Sequence, residues 1–313
     1  MKKCAYCNID LTKKIKTKEH VIPNGLINLF PNQNITFTHD KAYKDNTGQT
    51  ISDVCNNCNN VVLSELDTYG VNLIKDNFLT KFKPNDKLNI SFDYNKLSRW
   101  LLKISFNYER VEKNSCTWFK RNLDYINGKS TKSEHFSIFG GLHVDMNPMG
   151  EENDLYLPLN IGVDLKFYDT GILSYDNLIN GNISKSSYTP LNFENIYKTY
   201  SFRFASSKFI LILWEEDTDI NYIKNIEGLI ESLFPYQSIL SNDSVKLERV
   251  NDTISGRFSN LITGYVGMSI MDKFIESMIP NLEETQKYFT ESLKRIDSNP
   301  QKLVEAFLLD NYN

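Results

Sequence analysis

The chain has 313 residues, of which 41% are hydrophobic and 24% are charged, a balance that is typical of a globular protein and excludes a disordered chain. It contains no run of about eighteen apolar residues that could span a bilayer, and no apolar signal-peptide stretch follows the first lysines, so we expect a cytoplasmic protein without a membrane partner. The formal net charge of −4 argues against a protein that simply coats nucleic acid.

Four of the five cysteines form two Cys-x-x-Cys pairs, Cys4 with Cys7 and Cys55 with Cys58. Such a turn brings two sulfurs to one metal, and Zn²⁺ takes four thiolates tetrahedrally. Thiols stay reduced in the cytoplasm, which favours metal ligands over disulfides. The sequence therefore predicts a closed structural zinc site, which holds the chain together and does no chemistry itself.

The predicted fold class is α+β, with two domains, and residues 1–83 form the first in the order strand, hairpin, helix. Pro23 disfavours a helix at the residue before it, which favours an extended strand at His20. The stretch that begins at Ile35 is a predicted strand. After Cys58, apolar residues recur at three- and four-residue spacing, which predicts a helix.

Residues 84–313 are predicted to form a larger α+β domain with an antiparallel sheet and C-terminal helices. A helix is expected from Tyr94, with Lys103 as a solvated residue off its apolar face. The sheet strands are expected between residues 133 and 215 and include a hairpin from Ser201 to Trp214. The later helices are predicted over 221–234, 259–278 and 282–309. Regulation, target recognition and dimerisation all remain open as roles for this domain.

Positive charge gathers near the start of the chain, where residues 1–20 carry six lysines against Asp10 and Glu19. Such a strip could contact a phosphate backbone, or it could be a solubilising lysine face. The candidate nucleic-acid contacts in this strip are Lys13, Lys14, Lys16 and Lys18.

Glu19, His20 and Asn59 offer the groups that phosphodiester hydrolysis requires. A base must activate water, and a cation must neutralise charge on the scissile phosphate. A histidine with an ordinary pKa near 6.5 is largely neutral at pH 7 and can accept the proton. A neighbouring carboxylate and a side-chain oxygen from a facing helix could hold one Mg²⁺ or a similar ion.

Three motifs carry a family resemblance: Cys4-x-x-Cys7, Glu19-His20-Val21-Ile22-Pro23 and Val54-Cys55-x-x-Cys58-Asn59-Asn60. They resemble the zinc-stapled branch of the HNH endonucleases, whose fold is the ββα-metal finger. The resemblance implies that His20 is the general base. It also implies that Glu19 replaces the family's metal-binding Asp and that Asn59 is the second ligand of a catalytic Mg²⁺ or Mn²⁺. Asn60 is the alternative if the register slips by one residue. The resemblance ends near Phe78.

The chain departs from the family pattern at two further places. The family's middle asparagine falls near Thr50, which has no amide to orient the histidine. The stretch between His20 and Cys55 is longer than the hairpin of compact members, so an insertion must pack elsewhere or serve in binding. Within it, His39 and Lys41 could contact a phosphate.

A zinc-ribbon interaction module would need the same four cysteines, but ribbon cysteines generally lie closer in sequence than Cys7 and Cys55 do. The leading hypothesis is a metal-dependent HNH-type endonuclease that acts on DNA, in a setting such as bacterial defence against phage. The alternative is a non-catalytic zinc-finger module that binds nucleic acid or another partner. The sequence leaves open DNA versus RNA, and monomer versus homodimer.

Overall fold

The structure, a computed structural model, is mixed α+β. It describes residues 2–30, 35–37, 42–44, 48–80, 82, 86–131, 135–143, 159–163, 167–168, 190–191, 193–233 and 236–250. The predicted helices over 259–278 and 282–309 lie outside these ranges. No helix in the described ranges is long and apolar enough to cross a membrane.

Strands and helices alternate irregularly along the chain. The strands are β1 Lys16–His20, β2 Ile35–Phe37, β3 Ala42–Lys44, β4 Thr50–Cys55, β5 Leu88–Ser91, β6 Phe136–Leu142, β7 Leu159–Val163, β8 Phe167–Tyr168, β9 Pro190–Leu191, β10 Ile196–Phe204, β11 Ser207–Trp214, β12 Gln237–Ser238 and β13 Ser244–Leu247. The helices are α1 Asn24–Leu29, α2 Ser64–Asn77, α3 Tyr94–Val111, α4 Thr117–Arg121, α5 Leu123–Ile126 and α6 Ile220–Leu233. A π-helical turn, Cys58–Leu63, leads into α2.

The largest sheet has seven strands in the order β12-β6-β11-β10-β7-β2-β3. Strands β6, β11, β10 and β7 pair antiparallel, and β10 and β11 form the tight hairpin predicted from Ser201 to Trp214. The contact between β2 and β7 is parallel, so the sheet is mixed at this edge. The prediction of an antiparallel sheet is therefore confirmed for its central strands.

The long stretch between His20 and Cys55 supplies an edge of this sheet. Its strands β2 and β3 pair with each other and extend the sheet beyond β7. Strands β1 and β4, which flank the stretch, form a separate two-stranded antiparallel sheet. The insertion is thus packed against the larger part of the protein. His39 and Lys41, the predicted phosphate contacts within it, lie outside the described residues.

One hydrophobic core crosses the predicted boundary at residue 83. It contains Val21 and Leu66 from the first predicted domain together with Trp100 and Phe202 from the second. A smaller apolar cluster lies between α6 and the opposite face of the large sheet. The two predicted domains therefore share a core. The boundary at residue 83 stays a prediction.

Helix α3 lies between the β1–β4 unit and the large sheet, and residues 100–109 are all buried. On the sheet side, the ring of Trp100 lies 5.3 Å from that of Phe204. On the other side, α3 contacts α2 and β4. Lys103, expected to be solvated, has no exposed surface. The expectation was wrong because α2 covers the face of α3 on which Lys103 lies.

Gly70 of α2 allows the close approach of α2 to α3. A Cβ at this position would lie 2.1 Å from Cε2 of Trp100, so Gly70→Ala must displace a buried ring. We expect the free energy of unfolding to fall by about 1–3 kcal/mol, measured by urea titration. The control is Gly228→Ala in α6, where an added Cβ meets nothing within 4 Å and stability should rise by about 0.4–1 kcal/mol. Equal effects of the two substitutions would contradict this packing.

Candidate metal centre and histidine site

The first cysteine pair lies in a tight turn. The amide of Asn8 donates to the Cys4 carbonyl at 2.9 Å, and the amide of Cys4 donates to the Ile9 carbonyl at 2.8 Å. Asn8 has a φ of 62°, a left-handed conformation that asparagine tolerates better than most residues. The amide of Ala5 donates to the Asp53 carbonyl at 2.9 Å, which fastens this turn to β4.

The second pair spans the junction between β4 and the π-helical turn. Cys55 is the last residue of β4, and its amide donates to Cys4 Sγ at 3.3 Å. The amide of Cys58 donates to Cys55 Sγ at 3.5 Å. The backbone of the second pair therefore brings the sulfurs of both turns together.

The four sulfurs have the spacing that a tetrahedral metal requires. All lie within 4.8 Å of one another, and Sγ of Cys7 lies 3.6 Å from Sγ of Cys55. A Zn–S distance of about 2.3 Å in a tetrahedron places sulfurs about 3.8 Å apart. The cysteines could therefore bind a metal such as zinc. In the described ranges no other cluster of three or more cysteine, histidine or carboxylate side chains has this convergence.

The electrostatics of the quartet favour a bound cation. Burial opposes charging of Cys4, but the backbone amides of Cys55, Cys7 and Tyr6 outweigh it and lower its pKa to about 7. Burial raises the pKa of Cys58, and the neighbouring sulfurs raise it further. Several thiolates cannot coexist here without compensation. A divalent metal supplies that compensation and deprotonates the thiols that coordinate it.

His20 ends β1 and is partly exposed. In the antiparallel ladder it lies opposite Thr50, while Glu19 lies opposite Ile51. Opposed residues share a face of the sheet and successive residues alternate. The side chains of His20 and Thr50 therefore lie on one face, and those of Glu19 and Ile51 on the buried face. Thr50, near which the position of the family's middle asparagine falls, is the direct cross-strand neighbour of the histidine.

The carboxylate of Glu19 points into the protein. Only 3% of this residue is exposed. Its Oε1 forms an ion pair with the Lys103 ammonium and accepts a hydrogen bond from Nδ2 of Asn107 at 3.2 Å. A divalent cation at this oxygen would be repelled by a buried ammonium at contact distance. The carboxylate of Glu19 is thus engaged by Lys103 and Asn107 of α3, and its predicted role as a ligand of the catalytic ion stays a prediction.

Asn59 lies against β1. Its Nδ2 donates to Oγ1 of Thr17 at 3.0 Å and to the Lys18 carbonyl at 2.9 Å. Because the amide protons are directed at β1, Oδ1 is the atom that could bind a cation. Asn60, the alternative, is exposed and donates instead to Oδ1 of Asn56. The π-helical turn therefore presents Asn59 to the strand that carries His20.

The predicted phosphate contacts at the start of the chain are on the surface. Lys13 and Lys14 lie in the turn before β1, and Lys16 and Lys18 lie on β1 itself. All four side chains are exposed, and none forms an ion pair with another described residue. They give a positive surface to the strand that ends at His20.

Sequence reasoning missed the polar residues of α3 that surround this site. Lys103, Asn107 and Arg110 follow each other at helical spacing and lie on the face toward β1 and β4. Arg110 donates to Oδ1 of Asp53 at 3.0 Å, and Lys103 donates to both carboxylate oxygens of Asp67 at 2.7 Å. A polar stripe inside an otherwise apolar helix was the signal that could have found them.

No protein-family model, curated protein or solved structure matches this chain.

Proposed function

We propose that this protein is a metal-dependent HNH-type endonuclease that hydrolyses phosphodiester bonds in DNA. The order of β1, β4 and α2, with the cysteine quartet where these elements meet, supports a ββα-metal finger held by structural zinc. The observation that carries the proposal is the position of Asn59, which donates a hydrogen bond to the Lys18 carbonyl of β1, two residues before the partly exposed His20 at the end of the same strand.

In this proposal His20 is the general base. Its imidazole takes a proton from water while the water oxygen forms a bond to phosphorus, and the phosphorus–oxygen bond to the leaving strand breaks. Asn59 is the side chain that would hold Mg²⁺ or Mn²⁺, with waters and substrate oxygens completing the shell. The bound ion would neutralise charge on the phosphate. Glu19, in its observed position, helps to hold β1 in place.

The exposed lysines of β1 and the preceding turn support a polyanionic substrate. Lys13, Lys14, Lys16 and Lys18 would contact phosphates on either side of the scissile bond, and such contacts carry no base specificity. The same contacts would serve RNA, and a homodimer is compatible with this arrangement. By analogy with standalone bacterial nucleases, defence against phage is the proposed setting.

The alternative is a non-catalytic zinc-finger module that binds nucleic acid. The specific observation in its favour is the ion pair between Glu19 and Lys103, which removes the carboxylate expected to bind the catalytic ion. A site with one amide ligand would hold a divalent cation weakly. The same lysines and cysteines would then serve binding alone.

The test is nicking of supercoiled plasmid by the full-length, zinc-loaded protein with Mg²⁺, Mn²⁺ or a chelator. We expect His20→Ala to lower the rate by about 10²- to 10⁴-fold, the usual contribution of a general base, while zinc content and melting temperature stay unchanged. The control is His135→Ala, immediately before β6, which should keep wild-type activity. Undiminished nicking by His20→Ala would refute the proposal. A folded, zinc-loaded wild type that binds DNA but does not cut it with Mg²⁺, with Mn²⁺ or with chelator would establish the binding module.

A further inference from the structure

Asn107 of α3 is a fully buried amide whose hydrogen-bonding groups are all used. Its Nδ2 donates to Oε1 of Glu19 at 3.2 Å and to the His20 carbonyl at 3.0 Å. Its Oδ1 accepts from the Tyr6 hydroxyl at 2.7 Å and from Nη2 of Arg110. These four bonds equal the capacity of a side-chain amide, two donated and two accepted. A side chain that is fully satisfied in a buried site is held in one orientation.

The partners of Asn107 link it to three parts of the candidate site: the first cysteine turn, β1 and β4. Tyr6 lies inside the first Cys-x-x-Cys turn, and His20 ends β1. Arg110 lies 4.9 Å from the centre of the Tyr6 ring and is paired with Asp53 of β4. Asn107 therefore contacts the first cysteine turn and β1 directly, and it is linked to β4 through Arg110 of the same helix.

We propose that Asn107 is a positioning residue: by holding the His20 carbonyl, it fixes the backbone at the end of β1 and thereby the orientation of the His20 side chain. The consequence for catalysis rests on the proposed nuclease function. The bond from the Asn107 amide to the His20 carbonyl fixes this end of β1 to α3, in addition to the backbone bond between Val21 and Gln49. A displacement of about 1 Å in a catalytic group can cost about 100-fold in rate. No substrate contact is required of Asn107, because it acts through the backbone of His20.

Asn107→Asp tests this role. The carboxylate keeps the two accepted bonds, from Tyr6 and Arg110, but it cannot donate to the His20 carbonyl and it repels Glu19. The matched control is Asn127→Asp, because Nδ2 of Asn127 donates to the Tyr6 carbonyl at 2.9 Å with no bond to β1 among the described contacts. Asn107→Asp loses the two bonds that its buried amide donates, and Asn127→Asp loses the bond that its half-buried amide donates to Tyr6, but only the first variant releases the histidine strand.

We expect Asn107→Asp in the full-length, zinc-loaded protein to lower kcat for plasmid nicking by about 10- to 100-fold and to change KM by less than about threefold. Asn127→Asp should keep the wild-type kcat even if its melting temperature falls as much as that of Asn107→Asp. A wild-type kcat in Asn107→Asp, or an equal loss in both variants, would overturn the proposal.

Hydrogen exchange separates failure of this inference from failure of the nuclease proposal. The Val21 amide donates to the Gln49 carbonyl at 2.8 Å and follows His20 directly. In Asn107→Asp its exchange should be about tenfold faster than in Asn127→Asp, because the strand end opens locally. If wild type cuts nothing but this difference appears, the nuclease proposal fails and the structural role of Asn107 stands. Unchanged exchange in both variants would refute the role of Asn107 whatever the activity.

Discussion

Removal of the metal from the cysteine quartet is expected to unfold the unit formed by β1, β4 and the two Cys turns. Binding of structural Zn²⁺ to such sites contributes about 10–16 kcal/mol, which is as large as the whole stability of an ordinary domain, about 5–15 kcal/mol. The quartet also joins the start of the chain to the junction of β4 with the π-helical turn, from Cys4 to Cys58. Without a metal, the four sulfurs would have no cation to bind them together at the centre of this unit.

The measurement is thermal denaturation and zinc content before and after treatment with a strong chelator. Cys55→Ser should purify with little metal and a melting temperature as low as that of the chelated wild type. The control is Cys116→Ser, since Cys116 is buried outside the quartet. This control should keep its zinc and lose only about 1 kcal/mol. A wild type that purifies without metal and is indifferent to chelator would exclude a structural metal.

Lys103→Met is expected to lower the free energy of unfolding by about 3–5 kcal/mol, the usual effect of removing one partner from a buried ion pair. Lys103 has no exposed surface and is paired with Glu19 and Asp67. Burial alone would lower the pKa of Lys103, but the two carboxylates raise it above its usual value, so the ammonium is charged. Methionine fills a similar volume and leaves Glu19 buried without a cation.

The matched control for this substitution is Lys96→Met, about two helical turns earlier on the same side of α3. Lys96 lies 3.5 Å from Glu65 and 3.7 Å from Asp93, but its side chain is 37% exposed. Solvent screens such a pair, so the loss should stay below about 1 kcal/mol. Urea titration measures both variants. Adding Glu19→Gln to Lys103→Met should recover part of the loss, and the absence of any recovery would show that the pair does not act as a unit.

Local signals predicted some parts of this architecture from the sequence. Pro23 and the cysteine spacing placed His20 on a strand between two metal turns, and apolar periodicity placed a helix at Tyr94. Alternation of apolar and polar residues predicted the hairpin that ends at Trp214. Each of these features depends on residues that are neighbours in the chain, and the sequence displays such patterns directly.

The parts that could not be predicted depend on partners far apart in the chain. Lys103 fits a solvated position on an amphipathic helix, because no local pattern shows that α2 covers it with Asp67 or that β1 brings Glu19 to it. Likewise, Glu19 beside His20 is a plausible metal ligand until Asn107 and Lys103 occupy its oxygen. A buried helix with polar members is identified only once both of its neighbours are in place.

The parallel contact between β2 and β7 has a consequence for the order of folding. Phe37 pairs with Asn160, and the insertion that contains Phe37 connects β1 to β4. During synthesis from the amino end, this edge of the sheet has no partner until residue 160 has emerged from the ribosome. Contacts of such long sequence separation are slow to form. The segment between β1 and β4 therefore cannot take its native position in the large sheet until more than half of the chain has been synthesised.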